Sequence, residues 1–170
     1  MTAADGMTQN SGSSEKDYLW PQLLSLPYFR ALLRAVEARF YEDIELPSPC
    51  LDLGCGDGNF ASLAFSRPLE VGLDPWTGPI RKARKTSAYH NLVQANGDRM
   101  PFPDGHFASA VSNSVLEHIP QLDDVLLETS RVLTPGALFV FCVPNDRFLP
   151  NLSIAQDLER MKLAGAAKSY

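Results

Sequence analysis

Leu51-Asp52-Leu53-Gly54-Cys55-Gly56-Asp57-Gly58 reads as a buried strand that runs into a glycine-rich turn. Phe60, Leu63 and Ala64 follow at helical spacing, so the turn opens a helix. Glycines at 54, 56 and 58 let the backbone take positive φ and bring its N–H groups close to a ligand. Asp52 is the unusual member. A central parallel strand is normally apolar, and an unpaired buried carboxylate costs several kcal/mol, roughly. Either the N–H groups of its own loop hold Asp52, or it faces a ligand that welcomes negative charge. Asp57 lies in the same turn, so the local field is acidic, repelling a pyrophosphate and favouring an ammonium or sulfonium.

The flanking sequence alternates strands and helices. Pro27 suits a helix start, and Phe29, Leu32, Leu33, Val36 and Phe40 form one face of the helix it opens. Pro47 and Pro49 stop that helix before a first strand at about 50 to 54. A second strand spans 69 to 73, and Asp74-Pro75-Trp76-Thr77-Gly78-Pro79 turns into a helix over about 79 to 88. Leu92 to Ala95 is the third strand and Phe107 to Ser112 the fourth. Gln121 to Leu133 is helical by Leu122, Val125, Leu126, Thr129, Val132 and Leu133, with Asp123 and Asp124 complementing its N-terminal dipole. Ala137 to Val143 is an apolar fifth strand. The alternation predicts an α/β, doubly wound parallel sheet.

Composition narrows the function. A chain of 170 residues with 45% hydrophobic content holds one domain with a core of its own. Residues 1 to 16, rich in Ser, Gly, Thr and Asn, read as a disordered tail, leaving 17 to 170 as the domain. The net charge of −5 argues against nucleic acid as a partner. The dense basic run Arg81, Lys82, Arg84, Lys85 reads as a solvated helix face rather than a phosphate site. Cys50, Cys55 and Cys142 lack metal-type spacing, and their odd number suits a reducing cytoplasm; Cys55, between glycines, is no nucleophile. No apolar run approaches ~18 residues, so no membrane span is expected.

The glycine spacing is G-x-G-x-G with a carboxylate two residues upstream, unlike the G-x-G-x-x-G of dinucleotide sites. It resembles motif I of the class I S-adenosylmethionine-dependent methyltransferases. Val71-Gly72-Leu73-Asp74 resembles that family's second strand, whose terminal acid lies 22 positions after Asp52 and suits two ribose hydroxyls. Asn96-Gly97-Asp98-Arg99-Met100-Pro101-Phe102 resembles the segment after the third strand, whose Asp approaches the adenine amino group. The run from Pro103 through Val115-Leu116-Glu117-His118-Ile119 is similar to small-molecule methyltransferases, and the resemblance covers about residues 29 to 145 in unbroken order.

The resemblance implies S-adenosyl-L-methionine as cofactor, with no metal, held by Asp52, Gly54, Cys55, Gly56, Gly58, Asp74, Pro75, Trp76, Asp98, Arg99, Asn113 and Ser114. Each position also has a plainer use. The glycines serve a tight turn, and Asp74 before Pro75 or Asp98 after Asn-Gly suits turn initiation. Trp76 either stacks on adenine or covers a helix. Asn113 and Ser114 meet the methionine moiety mostly through backbone. His118 is either a core or capping histidine or a general base near the transferred methyl. The family's Phe-Asp entry to strand four is Phe107-Ala108 here, a change at the strand's start rather than at the chemistry.

The expected fold is therefore Rossmann-like, with helices on both faces of a mainly parallel sheet and the last two strands of the complete fold missing. Only 27 residues follow Val143, with one helical pattern through Leu152, Ala155, Leu158 and Met161 and no hairpin signal. Strand 137–143 is then an uncharged edge open to self-association. The expected activity is methyl transfer to a small-molecule or lipid-like acceptor, in the cytoplasm. The alternatives are an NAD(P)-binding oxidoreductase, disfavoured by the glycine spacing and the lack of a Tyr-x-x-x-Lys pair, and a non-catalytic cofactor-binding module.

Overall fold

The apolar runs of the sequence become strands of one five-stranded sheet, ordered β3-β2-β1-β4-β5, with parallel pairing throughout. The structure, a computed structural model, describes residues 16–24 and 26–145. The elements run α1 (Trp20–Leu23), α2 (Tyr28–Phe40), β1 (Cys50–Leu53), α3 (Asn59–Ala64), β2 (Leu69–Asp74), α4 (Thr77–Ala83) and β3 (Tyr89–Gln94). They continue with β4 (Phe107–Asn113), a 3-10 turn (Leu116–His118), α5 (Leu122–Val132) and β5 (Leu133–Cys142). Two cores fill the two faces of the sheet. One joins Ala35, Ala38 and Tyr41 to Cys50, Leu63 and Leu69; the other joins Leu51, Leu53 and Leu73 to Phe107, Val125 and Val132. This is the Rossmann-like, doubly wound arrangement with helices on both faces.

Several boundaries move for local reasons. The helix expected to 88 ends at Ala83, because the Thr86 hydroxyl donates to the Ala83 carbonyl and accepts the Ala88 N–H. Tyr89, set free of the helix, pairs with Leu69 and starts β3 early. β5 begins at Leu133, where Phe107 meets it, and the ladder slips between Phe107 and Ser109 before regular pairing resumes. The short helix α1, not anticipated, forms where the Asp17 carboxylate accepts the N–H groups of Leu19 and Trp20.

The orientation of α2 is a feature that its one-face pattern left open. Its Phe29, Leu32, Val36 and Phe40 do not face the core; they are exposed, and the buried residues are Ala31, Ala35, Glu37 and Ala38. Small side chains bring this helix close to the sheet, and its bulky stripe points away. Lys16, assigned to the tail, is fastened to the Leu63 carbonyl at 2.7 Å. The rest of the expected tail, the helical pattern after Pro150 and the two missing strands all fall outside the described residues.

Candidate functional site

The sheet order places a topological switch at β1, whose neighbours β2 and β4 leave it toward opposite edges, and ligands of such sheets lie at the carboxyl ends there. A cleft of about 550 Å³ occupies that position, within the range of small-ligand sites. Gly54, Asp74, Pro75, Trp76, Asp98, Ser114 and His118 line it, so seven of the residues singled out from sequence meet in one place. Asp52, Cys55, Gly56, Gly58, Arg99 and Asn113 do not line it.

The turn after β1 is built by its glycines. Gly54, Gly56 and Gly58 have φ of +81°, +55° and +77°. The Gly54 and Cys55 N–H groups both reach the Leu73 carbonyl, tying the turn to the end of β2. A Cβ at Gly54 would stand 2.5 Å from a Val115 methyl, whereas at Gly56 it would meet nothing within 4 Å. The turn is thus closed on one side and open at its middle. Asp74, at the end of β2, accepts the Gly56 N–H at 3.1 Å and the Trp76 N–H at 2.8 Å, which fix the buried carboxylate on the cleft wall. Burial and the nearby carboxylates push the Cys55 thiol far up, in keeping with no nucleophilic role.

Asp52 takes neither course that its sequence position suggested. Its Oδ2 accepts the Tyr89 phenol of β3 at 2.6 Å. The ring crosses β2 at Gly72, where a Cβ would sit 3.0 Å from it. Burial pushes the Asp52 carboxyl up to about 7; the Tyr89 hydrogen bond opposes this and the Asp74 charge adds to it. Asp52 therefore acts behind the turn, as an anchor between β1 and β3.

Asn113 and Ser114 show a network that sequence reasoning missed. Glu37 of α2 accepts Asn113 Nδ2 at 2.8 Å, the Ser114 hydroxyl at 3.2 Å and Arg34 at 2.6 Å. Arg34 also donates to Ser114 Oγ at 2.9 Å, and the Tyr41 hydroxyl donates to Asn113 at 3.3 Å. Ser114 holds φ +54°, rare for a residue with a side chain, and its N–H is bonded to Cys142 of β5. The end of β4 is thereby clasped to α2 on one side and to β5 on the other. The signal in the sequence was polar: Glu37 is the one acid of α2, and Arg34 stands one turn before it. Asp98 is positioned comparably. The segment after β3 is tied to α5 where Glu128 accepts the Met100 N–H and Arg131 donates to the carbonyls of Met100 and Phe102.

A second cavity of about 670 Å³ lies beside the cleft. Its wall is largely apolar, from Leu32, Leu33 and Val36 of α2 and from Cys142 to Pro144, and it shares Ser114 and His118 with the cleft. His118 is exposed at that junction, with Nε2 3.8 Å from Glu117. Arg81, Lys82, Arg84 and Lys85 are exposed, as a solvated face would be. Among the described residues there is no group of side chains suited to a metal ion, and no helix is long and apolar enough to cross a membrane.

Comparison with known proteins points the same way. The family described as "Methyltransferase domain" matches residues 51–141, from β1 through β5. A fatty-acid O-methyltransferase of Mycolicibacterium smegmatis is 35% identical over 107 residues, covering 58% of this chain and 38% of that protein. A crystal structure of a Pyrococcus horikoshii protein superposes with a TM-score of 0.62 at 26% identity, covering 76% of this chain and 65% of that one. The structure of a geranyl diphosphate methyltransferase in complex with geranyl diphosphate and sinefungin gives 0.53 at 25% identity, covering 65% and 46%. The chain spans between 26% and 42% of the length of the curated relatives it matches. The turn, the acid at the end of β2 and a family match over the whole of β1 to β5 decide for methyltransferase over oxidoreductase: the chain belongs to the class I S-adenosylmethionine-dependent methyltransferases.

Proposed function

We propose that residues 17–170 form a methyltransferase domain that binds S-adenosylmethionine in the cleft and methylates a small-molecule or lipid-like acceptor lying in the second cavity. The carrying observation is that the two cavities meet at Ser114 and His118. The residues present suit the cofactor. Asp74 is held with its carboxylate on the cleft wall, Gly56 leaves open space, and the acidic lining of Asp74 and Asp98 favours a ligand with cationic groups. In this reading Asp74 receives the ribose hydroxyls, Asp98 meets the adenine amino group and Trp76 covers the ring. Gly54, Cys55, Gly56 and Gly58 present backbone to the methionine moiety, as do Asn113 and Ser114. Pro75 and Arg99 shape the flanks, and Asp52 holds the turn from behind. Bound there, the cofactor supplies a methyl group already activated on sulfonium sulfur.

The protein's work is then mainly to orient the acceptor in a water-poor cavity, worth up to ~7–11 kcal/mol in ideal cases. The apolar wall from α2 suits an acceptor with hydrocarbon character, as do relatives named for fatty acids and geranyl diphosphate. Where the acceptor atom is a hydroxyl, His118 takes its proton and passes it to water, being exposed at the junction. His118→Ala is expected to lower turnover of a hydroxyl acceptor about 10²–10⁴-fold, with S-adenosylhomocysteine affinity unchanged. Equal turnover in the two proteins removes the base assignment. We assign the chain to the reducing cytoplasm on its three unpaired thiols. We also assign self-association to β5, where Leu138 and Phe141 are exposed on an outer strand of the described sheet.

A further inference from the structure

Among the described residues, Ser114 alone carries a side chain at positive φ, +54°. Such a conformation persists only where its surroundings over-determine it, and it gathers at ligand sites. Ser114 stands where the cofactor cleft meets the second cavity. Val115, next to it, packs on the glycine turn, since a Cβ at Gly54 would stand 2.5 Å from a Val115 methyl. The conformation of Ser114 therefore sets its own backbone on the cleft wall and the seat of the turn after β1.

Glu37 does not line the cleft; it lines the second cavity, and its side chain is only 10% exposed. Its Oε1 accepts the Ser114 hydroxyl at 3.2 Å and its Oε2 accepts Asn113 Nδ2 at 2.8 Å. One carboxylate thus grips both residues that make the bend. Arg34 closes the ring, donating to Glu37 Oε2 at 2.6 Å and to Ser114 Oγ at 2.9 Å. Its guanidinium also lies 5.9 Å from the centre of the Phe60 ring, in the first turn of α3. The Ser114 hydroxyl gives its proton to Glu37 and accepts one from Arg34, so its orientation is fixed. A pair of charges so far removed from water adds little net stability, and its best-attested use is to specify one conformation.

We propose that Glu37 is a positioning residue for the cofactor. From the wall of the second cavity it holds Ser114 in the left-handed conformation, and with it the backbone that meets S-adenosylmethionine. The inference rests on the cofactor reading of the cleft. The test is calorimetric titration with S-adenosylhomocysteine across a double-mutant cycle of Glu37→Ala and Ser114→Gly, with melting temperatures read alongside. Glycine takes positive φ without help, so the cycle asks whether Glu37 acts through the serine. Glu37→Ala is expected to weaken binding about tenfold in the native background and less than about twofold in the Ser114→Gly background, where only the Asn113 bond remains to be lost. Arg34→Met removes the second hold on the hydroxyl at a half-buried position, and is expected to weaken binding in the same sense. It reads the proposal even if Glu37→Ala does not fold. A lower melting temperature with unchanged affinity overturns the proposal, because Glu37 is then only a brace for α2. An equal loss in both backgrounds overturns it too, because the effect then bypasses Ser114. A native chain that binds no S-adenosylhomocysteine overturns the cofactor reading and this inference with it, whereas native binding that the variants leave unchanged overturns this inference alone.

Discussion

Asp52 sits in the middle strand of a parallel sheet, cut off from water, and its place depends on one phenol. Burial pushes its carboxyl from the ordinary 3.8 up to about 7, against the hydrogen bond from Tyr89 and with the help of the Asp74 charge. The folded chain therefore keeps a proton that the unfolded chain releases above 3.8. Linkage gives the sign: Asp52's contribution is fully present below 3.8, is lost as pH rises to about 7, and is flat beyond. Urea titrations should show this decline in the native protein relative to Asp52→Asn, which cannot ionise. Tyr89→Phe removes the group that favours the charged form, so its decline should extend above 7 and cost about 1–3 kcal/mol. A stability difference between native and Asp52→Asn protein that ignores pH would contradict this. The strand pattern exposed Asp52 as an anomaly but did not name its partner, because Tyr89 is 37 residues away and reaches it only where Gly72 leaves room.

At the scale of elements, α2 shows what periodicity decides and what it leaves open. The helix carries a bulky stripe and an alanine stripe, and both are apolar. The choice between them falls to groups that periodicity ignores: Glu37 and Arg34 find partners in Asn113 and Ser114 only when the alanines face the sheet. Ala38 is completely buried. Ala38→Leu should cost about 1–3 kcal/mol by overpacking, while Val36→Ala on the exposed stripe should stay within about 0.5 kcal/mol. Thermal melts of the two variants check the orientation; the reverse order would mean that the bulky stripe is the buried one. β1, β2 and β4 were legible because runs of apolar residues bounded by glycine, proline or acid have few other readings. α1 was not, because a four-residue helix held by one aspartate leaves no periodic trace.

For the molecule as a whole, the order β3-β2-β1-β4-β5 gathers the ends of β1, β2 and β4 into one cleft and sets a second, more apolar cavity against it under α2. The motifs and the family they resemble pointed to the first, since Gly54, Asp74 and Asp98 follow consecutive strands and line it, although Asp52 and Gly56, expected beside them, do not. The second lies where the resemblance puts an acceptor pocket, at the N-terminal helix and the segments after strands four and five, but no motif in those segments names its ligand. The central claim is that the cleft holds S-adenosylmethionine. Calorimetric titration with S-adenosylhomocysteine tests it most directly, run on the native chain and on Asp74→Ala, with NAD as the control ligand. One molecule should bind per chain, NAD should not bind, and Asp74→Ala should weaken binding by about 1.5–3 kcal/mol through lost hydrogen bonds to a charged group. An Asp74→Ala protein that is folded and binds S-adenosylhomocysteine as the native chain does, or a native chain that prefers NAD, would contradict the account.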